Sequence, residues 1–107
     1  MLEKYTYEID CSNIENYWDI HRILKNSLHF PEYYGGNLDA LFDCLTDMLG
    51  WKSHIEIYGL AKLGKYNGYD KKILEVFSDA KHAYGDEFSD RFFVTIVHED
   101  GTREEIE

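Results

Sequence analysis

Strand-like and helix-like segments alternate along this chain, which predicts an α/β fold: a small three-stranded parallel sheet with helical crossovers. Three observations carry that prediction. The β-type runs at residues 5–9, 55–58 and 92–97 are each separated by a dozen or more residues, the spacing of crossovers rather than hairpins. The intervening segments carry apolar residues at helical period. The third run, Phe92-Phe93-Val94-Thr95-Ile96-Val97, is almost continuously apolar, as suits a parallel strand covered on both faces.

Each element has its own local reason. Tyr5-Thr6-Tyr7-Glu8-Ile9 alternates as a strand does. Either Ser12, with Glu15 three residues on, or Asn16 caps a first helix running to about Leu28. Tyr17, Ile20, Ile23, Leu24 and Leu28 form its apolar set, and Phe30-Pro31 ends it, because a residue before proline is pushed from helical angles. Asn37 caps a second helix through about Leu49, with Gly50 as its stop. Leu38, Leu41, Leu45, Met48 and Leu49 fall on one stripe of that helix. Asp39, Phe42, Asp43 and Thr46 occupy the adjoining flank, about 40° to 140° away. Ile55-Glu56-Ile57-Tyr58 is the second strand, bounded by Trp51-Lys52-Ser53 and Gly59, and Leu60 to Leu63 suit a short helical turn. After a loop at Tyr66-Asn67-Gly68-Tyr69, Asp70 is the expected cap of a helix carrying Ile73, Leu74, Val76, Phe77 and Ala80, ended by Gly85. Asp100-Gly101 suits a two-residue hairpin turn. The tail from Arg103 to Glu107 is then either an extra antiparallel edge strand or a frayed acidic end, the strand being favoured.

At 107 residues the chain is expected to be a single domain, residues 1–107. Apolar residues at 44% and aromatics at 16% provide for a packed core and exclude a disordered tail protein. Twenty-one acidic against 11 basic residues give a net charge of −10, which disfavours direct nucleic-acid binding and steers a basic protein inward. Acidity also simply keeps proteins soluble, so its placement has to decide. No run reaches the roughly twenty apolar residues of a membrane helix, and Met1-Leu2-Glu3-Lys4 lacks a secretory pattern. A cytoplasmic protein is expected. Cys11 and Cys44 form no CxxC and read as packing thiols.

The run from Pro31 to Thr46, PEYYGGNLDALFDCLT, places its chemistry on one surface. Tyr33 and Tyr34 would ordinarily cap a core beside a glycine turn, but here they precede an acidic helix flank, and tyrosine is a common interface anchor. Asp39 is explained by the helix dipole alone, whereas Asp43 lies beyond the first turn. Phe42 either widens the core stripe or anchors a contact between flanking acids. Catalysis has no motif behind it. Asp39 and Asp43 point the same way instead of facing each other across a cleft, and Cys44 sits among core residues. His21, His29, His54, His82 and His98 show no metal-ligand spacing, and no phosphate-cradling loop is present. No cofactor and no metal are implied.

PEYYG, NLDAL and DCLT together closely resemble the signature of the barstar family, intracellular inhibitors of barnase-type ribonucleases. Asp19-Ile20-His21 and Val76-Phe77…Ala80-Lys81 extend the likeness. The resemblance implies a barstar-like fold and a non-enzymatic immunity protein that covers a basic secreted ribonuclease in a 1:1 complex, monomeric when free. It implies that Tyr33 packs against the enzyme's catalytic region, that Asp43 enters the substrate-phosphate pocket and that Asp39 pairs with another basic group. Tyr34, Gly35, Asn37, Phe42 and Thr46 complete the contact, and Asp79 supplies a further acid. Phe42 stands where the family has tryptophan, Asp47 replaces a glycine, Gly36 an acid and Asp79 a glutamate, and the tail passes the family's usual end. These departures leave open immunity to a toxin that is not a ribonuclease. A small hydrolase using Asp39, Asp43 and a histidine is the remaining alternative.

Overall fold

The computed structural model describes residues 5–16, 18–47, 53–83 and 92–106. Strand β1 (Tyr5–Asp10) leads to helix α1 (Trp18–Leu28) and helix α2 (Leu38–Asp47). Strand β2 (Ser53–Tyr58) is followed by a 3-10 helix (Leu60–Lys65) and helix α3 (Tyr69–Lys81). Strands β3 (Phe92–Val97) and β4 (Arg103–Glu105) complete the order. The sheet runs β1-β2-β3-β4, the first three strands parallel and β4 antiparallel. The expected α/β architecture is therefore present, edge strand included. Met48 and Leu49 of the second helix's stripe, and the stops at Gly50 and Gly85, lie outside the described residues.

Register explains the core. Ile9, Ile57 and Ile96 align across the three parallel strands, as do Tyr7, Ile55 and Val94. That face meets Ile20, Leu24, Leu41, Leu45, Ile73 and Phe77 from the helices in one apolar cluster. Among the described residues the opposite face is covered unevenly: on β3 Thr95 is buried and Lys81 of α3 lies over the Phe93 ring at 4.9 Å, while β1 is open. Thr6, Glu8 and Asp10 are exposed there, and Glu56, Tyr58 and Phe93 are only partly buried. Polar pairing accommodates that face: His54 Nε2 bonds Thr95 Oγ1 at 2.8 Å, and Glu56 forms an ion pair with Arg103 of β4. The tail is ordered through Ile106, whose N–H donates to Val94 at 2.9 Å.

Two helix ends and one hairpin refine the expectations. Of the two caps proposed for α1, Asn16 serves, its Oδ1 accepting from the Asp19 N–H at 3.3 Å, while the Ser12 N–H is held by Asp10. Asp70 does not cap α3. Gly68, at φ 70°, holds that position, and Asp70 sits in the first turn with one carboxylate oxygen buried and unbonded. The hairpin is one residue longer than its Asp100-Gly101 pair suggested. His98 bonds Thr102 across a three-residue loop, with Gly101 at φ 88°, because the left-handed residue closes the turn as a bulge. Gly59 is needed for space as well as angle: a Cβ there, at φ 70°, would lie 2.8 Å from the Ser12 nitrogen.

Candidate partner-binding surface

The loop between α1 and α2 is tied down at several points. Helix α1 ends with His29 at φ 59°, and the Phe30 N–H reaches back to the Lys25 carbonyl at 2.9 Å. That six-to-one bond closes the helix before Pro31, using a histidine where glycine is usual. The Tyr34 N–H donates to the Pro31 carbonyl at 3.0 Å, and Lys25 Nζ donates to Glu32 at 3.4 Å. The two neighbouring tyrosines then part. Tyr34 turns inward, its ring 4.9 Å from Phe30 and its hydroxyl 2.7 Å from Nδ1 of the buried His21. His21 Nε2 is 2.5 Å from the hydroxyl of Tyr69, so one imidazole joins the loop to the start of α3. Burial lowers the pKa of His21 and raises that of Tyr34. Tyr33 points outward and is 83% exposed.

Gly36, at φ 67°, turns the chain into α2. Asn37 caps the helix as its side chain predicts, its Oδ1 accepting from the Ala40 N–H at 2.8 Å. With Leu41 and Leu45 fully buried, the opposite side of α2 faces out. Asp39, Asp43 and Asp47 are exposed there at i, i+4 and i+8, an acidic ridge along the helix. None of the three makes a salt bridge among the described residues. Phe42 and Thr46 are half-buried between ridge and core, and the Thr46 hydroxyl donates to the Asp43 carbonyl at 2.9 Å. An open hollow of about 200 Å³ joins the loop to this helix, lined by Phe30, Pro31, Tyr33, Cys44 and Asp47 among others.

Tyr33, Gly35, Asn37, Asp39, Phe42, Asp43 and Thr46 thus lie along one continuous stretch of loop and helix. Tyr34 belongs to it through its anchoring of the loop, because its hydroxyl is taken up by His21. Asp79 is exposed on α3, the helix that packs against α2. Sequence reasoning placed Asp47 at the contact edge, as a replacement for glycine, without counting it in the site, although the same i+4 spacing that relates Asp39 to Asp43 reaches it. Cys44 is unsuited to nucleophilic chemistry. Burial raises its pKa, and Asp47 and Asp43 add to the shift by opposing a thiolate. Among the described residues no group of three or more His, Cys, Asp or Glu is placed to hold a metal ion, and no helix is long and apolar enough to cross a membrane.

The sequence model of the family described as Barstar (barnase inhibitor) matches residues 5–96. This chain belongs to the barstar family. A curated relative from Bacillus subtilis (strain 168), named "Putative ribonuclease inhibitor YrdF", is 38% identical over 81 residues, 75% of this chain and 89% of the relative. Barstar is a family of inhibitors, not of enzymes, in keeping with the unsuitability of Cys44. The matched span contains the loop, α2, α3, the first two parallel strands and β3 up to Ile96, while β4 lies beyond it.

Proposed function

We propose that this chain is an immunity protein that binds and blocks the active site of a cationic secreted ribonuclease, with α2 acting as a phosphate mimic. The observation that carries this reading is the acidic ridge of Asp39, Asp43 and Asp47, without a salt bridge among the described residues, beside the exposed Tyr33. A ribonuclease site is lined by cations that stabilise phosphate, so a carboxylate held on a rigid helix can take the substrate's place. Asp43 is the group assigned to the phosphate pocket, meeting arginine and histidine side chains. Asp39 pairs with a further basic group, and Tyr33 packs against the catalytic region. Gly35, Asn37, Phe42 and Thr46 fill the space between, with Asp79 an additional acid from α3. Tyr34 positions the loop from within. Asp47, where the family resemblance leads one to expect glycine, lengthens the ridge and points to a partner with an added cation at that end.

The net charge of −10 supports steered encounter with a basic enzyme. A single domain, monomeric when free, acting in the cytoplasm and forming a 1:1 complex completes the proposal. The relative's name supports a ribonuclease as the target class. The test is an RNA-cleavage assay with a barnase-type ribonuclease, titrated with this chain at several RNA and salt concentrations. Competition with RNA and an association rate that falls as salt rises are expected. Inhibition indifferent to RNA concentration would place the contact away from the active site.

A further inference from the structure

Trp18 and Tyr33 are the large hydrophobic side chains exposed among the described residues, Trp18 at 61%. A single exposed apolar residue is ordinary on a protein surface, so position has to decide its meaning. Trp18, His21 and Lys25 follow one another at i, i+3 and i+7 on α1 and fall within about 60° of arc. Two of the three are bonded to the loop that precedes α2. Lys25 pairs with Glu32, His21 bonds Tyr34, and a Cβ built at Gly36 would lie 3.9 Å from the Cβ of His21. Followed back toward the start of α1, this row meets later and later loop residues. Trp18 lies about one turn further back along α1 than His21, in the direction the loop takes toward Gly36. Helical side chains lean toward the N-terminus, which carries the indole further the same way.

Two carboxylates flank Trp18, one open and one already paired. Glu15 is exposed just before it, and Asp19, beside it, accepts from the Glu15 N–H at 3.3 Å and pairs with Arg22 at 3.3 Å.

We propose that Trp18 is a further partner-contact residue, extending the inhibitory surface beyond α2 and receiving an arginine or lysine side chain of the ribonuclease on its indole face. This rests on the function proposed above. Tryptophan is the best aromatic acceptor of such a cation, and the exposed Glu15 carboxylate favours the cation's approach. The contact gains strength as the two surfaces exclude water between them.

The test uses barnase as probe, with this chain labelled with nitrogen-15 and the enzyme unlabelled. Trp18→Leu is expected to weaken binding about tenfold, and Trp18→Phe, which keeps an aromatic face, about threefold. Urea unfolding of both variants separates any loss of stability from the loss of affinity. The indole N–H resonance of Trp18, assigned by its loss in Trp18→Phe, should shift when barnase is added. Asp43→Ala separates the two proposals. If Asp43→Ala weakens binding while Trp18→Leu stays within twofold and the indole signal is unmoved, the Trp18 contact is refuted and the ribonuclease reading stands. If the wild-type chain does not bind barnase, or Asp43→Ala binds as tightly as wild type, the ribonuclease reading fails and this inference with it. Equal affinities for the leucine and phenylalanine variants would refute the cation contact.

Discussion

Tyr34→Phe removes a single oxygen atom, yet it severs the link between the binding loop and the core. Both ring nitrogens of His21 are bonded, Nδ1 to Tyr34 at 2.7 Å and Nε2 to Tyr69 at 2.5 Å. A neutral imidazole carries one N–H and one lone pair, so one tyrosine donates and the other accepts. Without the Tyr34 hydroxyl, Nδ1 is left unpaired on a buried ring. An unsatisfied buried polar group costs about 1–3 kcal/mol. Tyr34 itself is only half-buried, so water can reach part of the vacated space, and the lower part of that range, about 1–2 kcal/mol, is expected. In a domain of this size each 1 kcal/mol lowers Tm by about 4–8 °C. Urea unfolding followed by circular dichroism should show a lower midpoint with an unchanged slope. Affinity for the ribonuclease should fall as well, because the freed loop carries Tyr33 and Gly35. Tyr69→Phe, which cuts the other end of the bridge, should destabilise comparably while leaving affinity nearly unchanged. A Tyr34→Phe variant within about 0.3 kcal/mol of wild type, with undiminished affinity, would refute the bridge as the loop's anchor.

Burial holds the pKa of His21 below the ordinary imidazole value, so the unfolded chain takes up this proton more readily than the folded one. Its contribution is therefore fully present above about pH 6.5 and declines as pH falls toward the lowered folded value. Thermal melts between pH 8 and pH 5 should show that decline, and His21→Gln should flatten it; a slope unchanged by the substitution would contradict the assignment. Gly59→Ala should destabilise by roughly 1–3 kcal/mol, since the positive φ and the approach to Ser12 both resist a methyl group. A wild-type urea midpoint would show that the Ser12 turn yields without cost. Asn37→Ala removes the cap of α2 and should cost about 1 kcal/mol in the same unfolding experiment, with Asn37→Gly milder. Equal stability of all three proteins would mean that solvent satisfies the Ala40 N–H just as well.

Much of the fold was legible because its signals are local. Asn37 before an apolar stripe specified the start of α2, and the 3.6-residue period placed Leu41 and Leu45 inward and Asp39 and Asp43 outward. The crossover lengths specified parallel pairing, and the β4 hairpin was readable from Asp100-Gly101 even though its loop is one residue longer. What escaped depends on contacts distant in sequence or on backbone choices that several residues allow. Tyr33 and Tyr34 look equivalent until His21, 13 residues earlier, and Tyr69, 35 later, claim one of them. Asp70 has good capping chemistry, but the left-handed Gly68 makes the cap position for α3 without it. The apolarity of β3 did not show that its second face is covered partly by polar groups, with Lys81 over Phe93 and His54 bonded to the buried Thr95.

The central claim is that Asp43 stands in for substrate phosphate, and titrating wild-type and Asp43→Ala chains against a barnase-type ribonuclease tests it most directly. Asp43 is exposed and off the core stripe, so both proteins should unfold alike and any loss belongs to the interface. Leaving the enzyme's phosphate-binding cations unpaired should weaken binding by about 2–5 kcal/mol, the general range for buried charge pairs, the barnase–barstar complex among the reference cases. Inhibition by the wild type at near-stoichiometric amounts, with the variant requiring a large excess, is the predicted result. Equal inhibition by the two proteins would contradict the account.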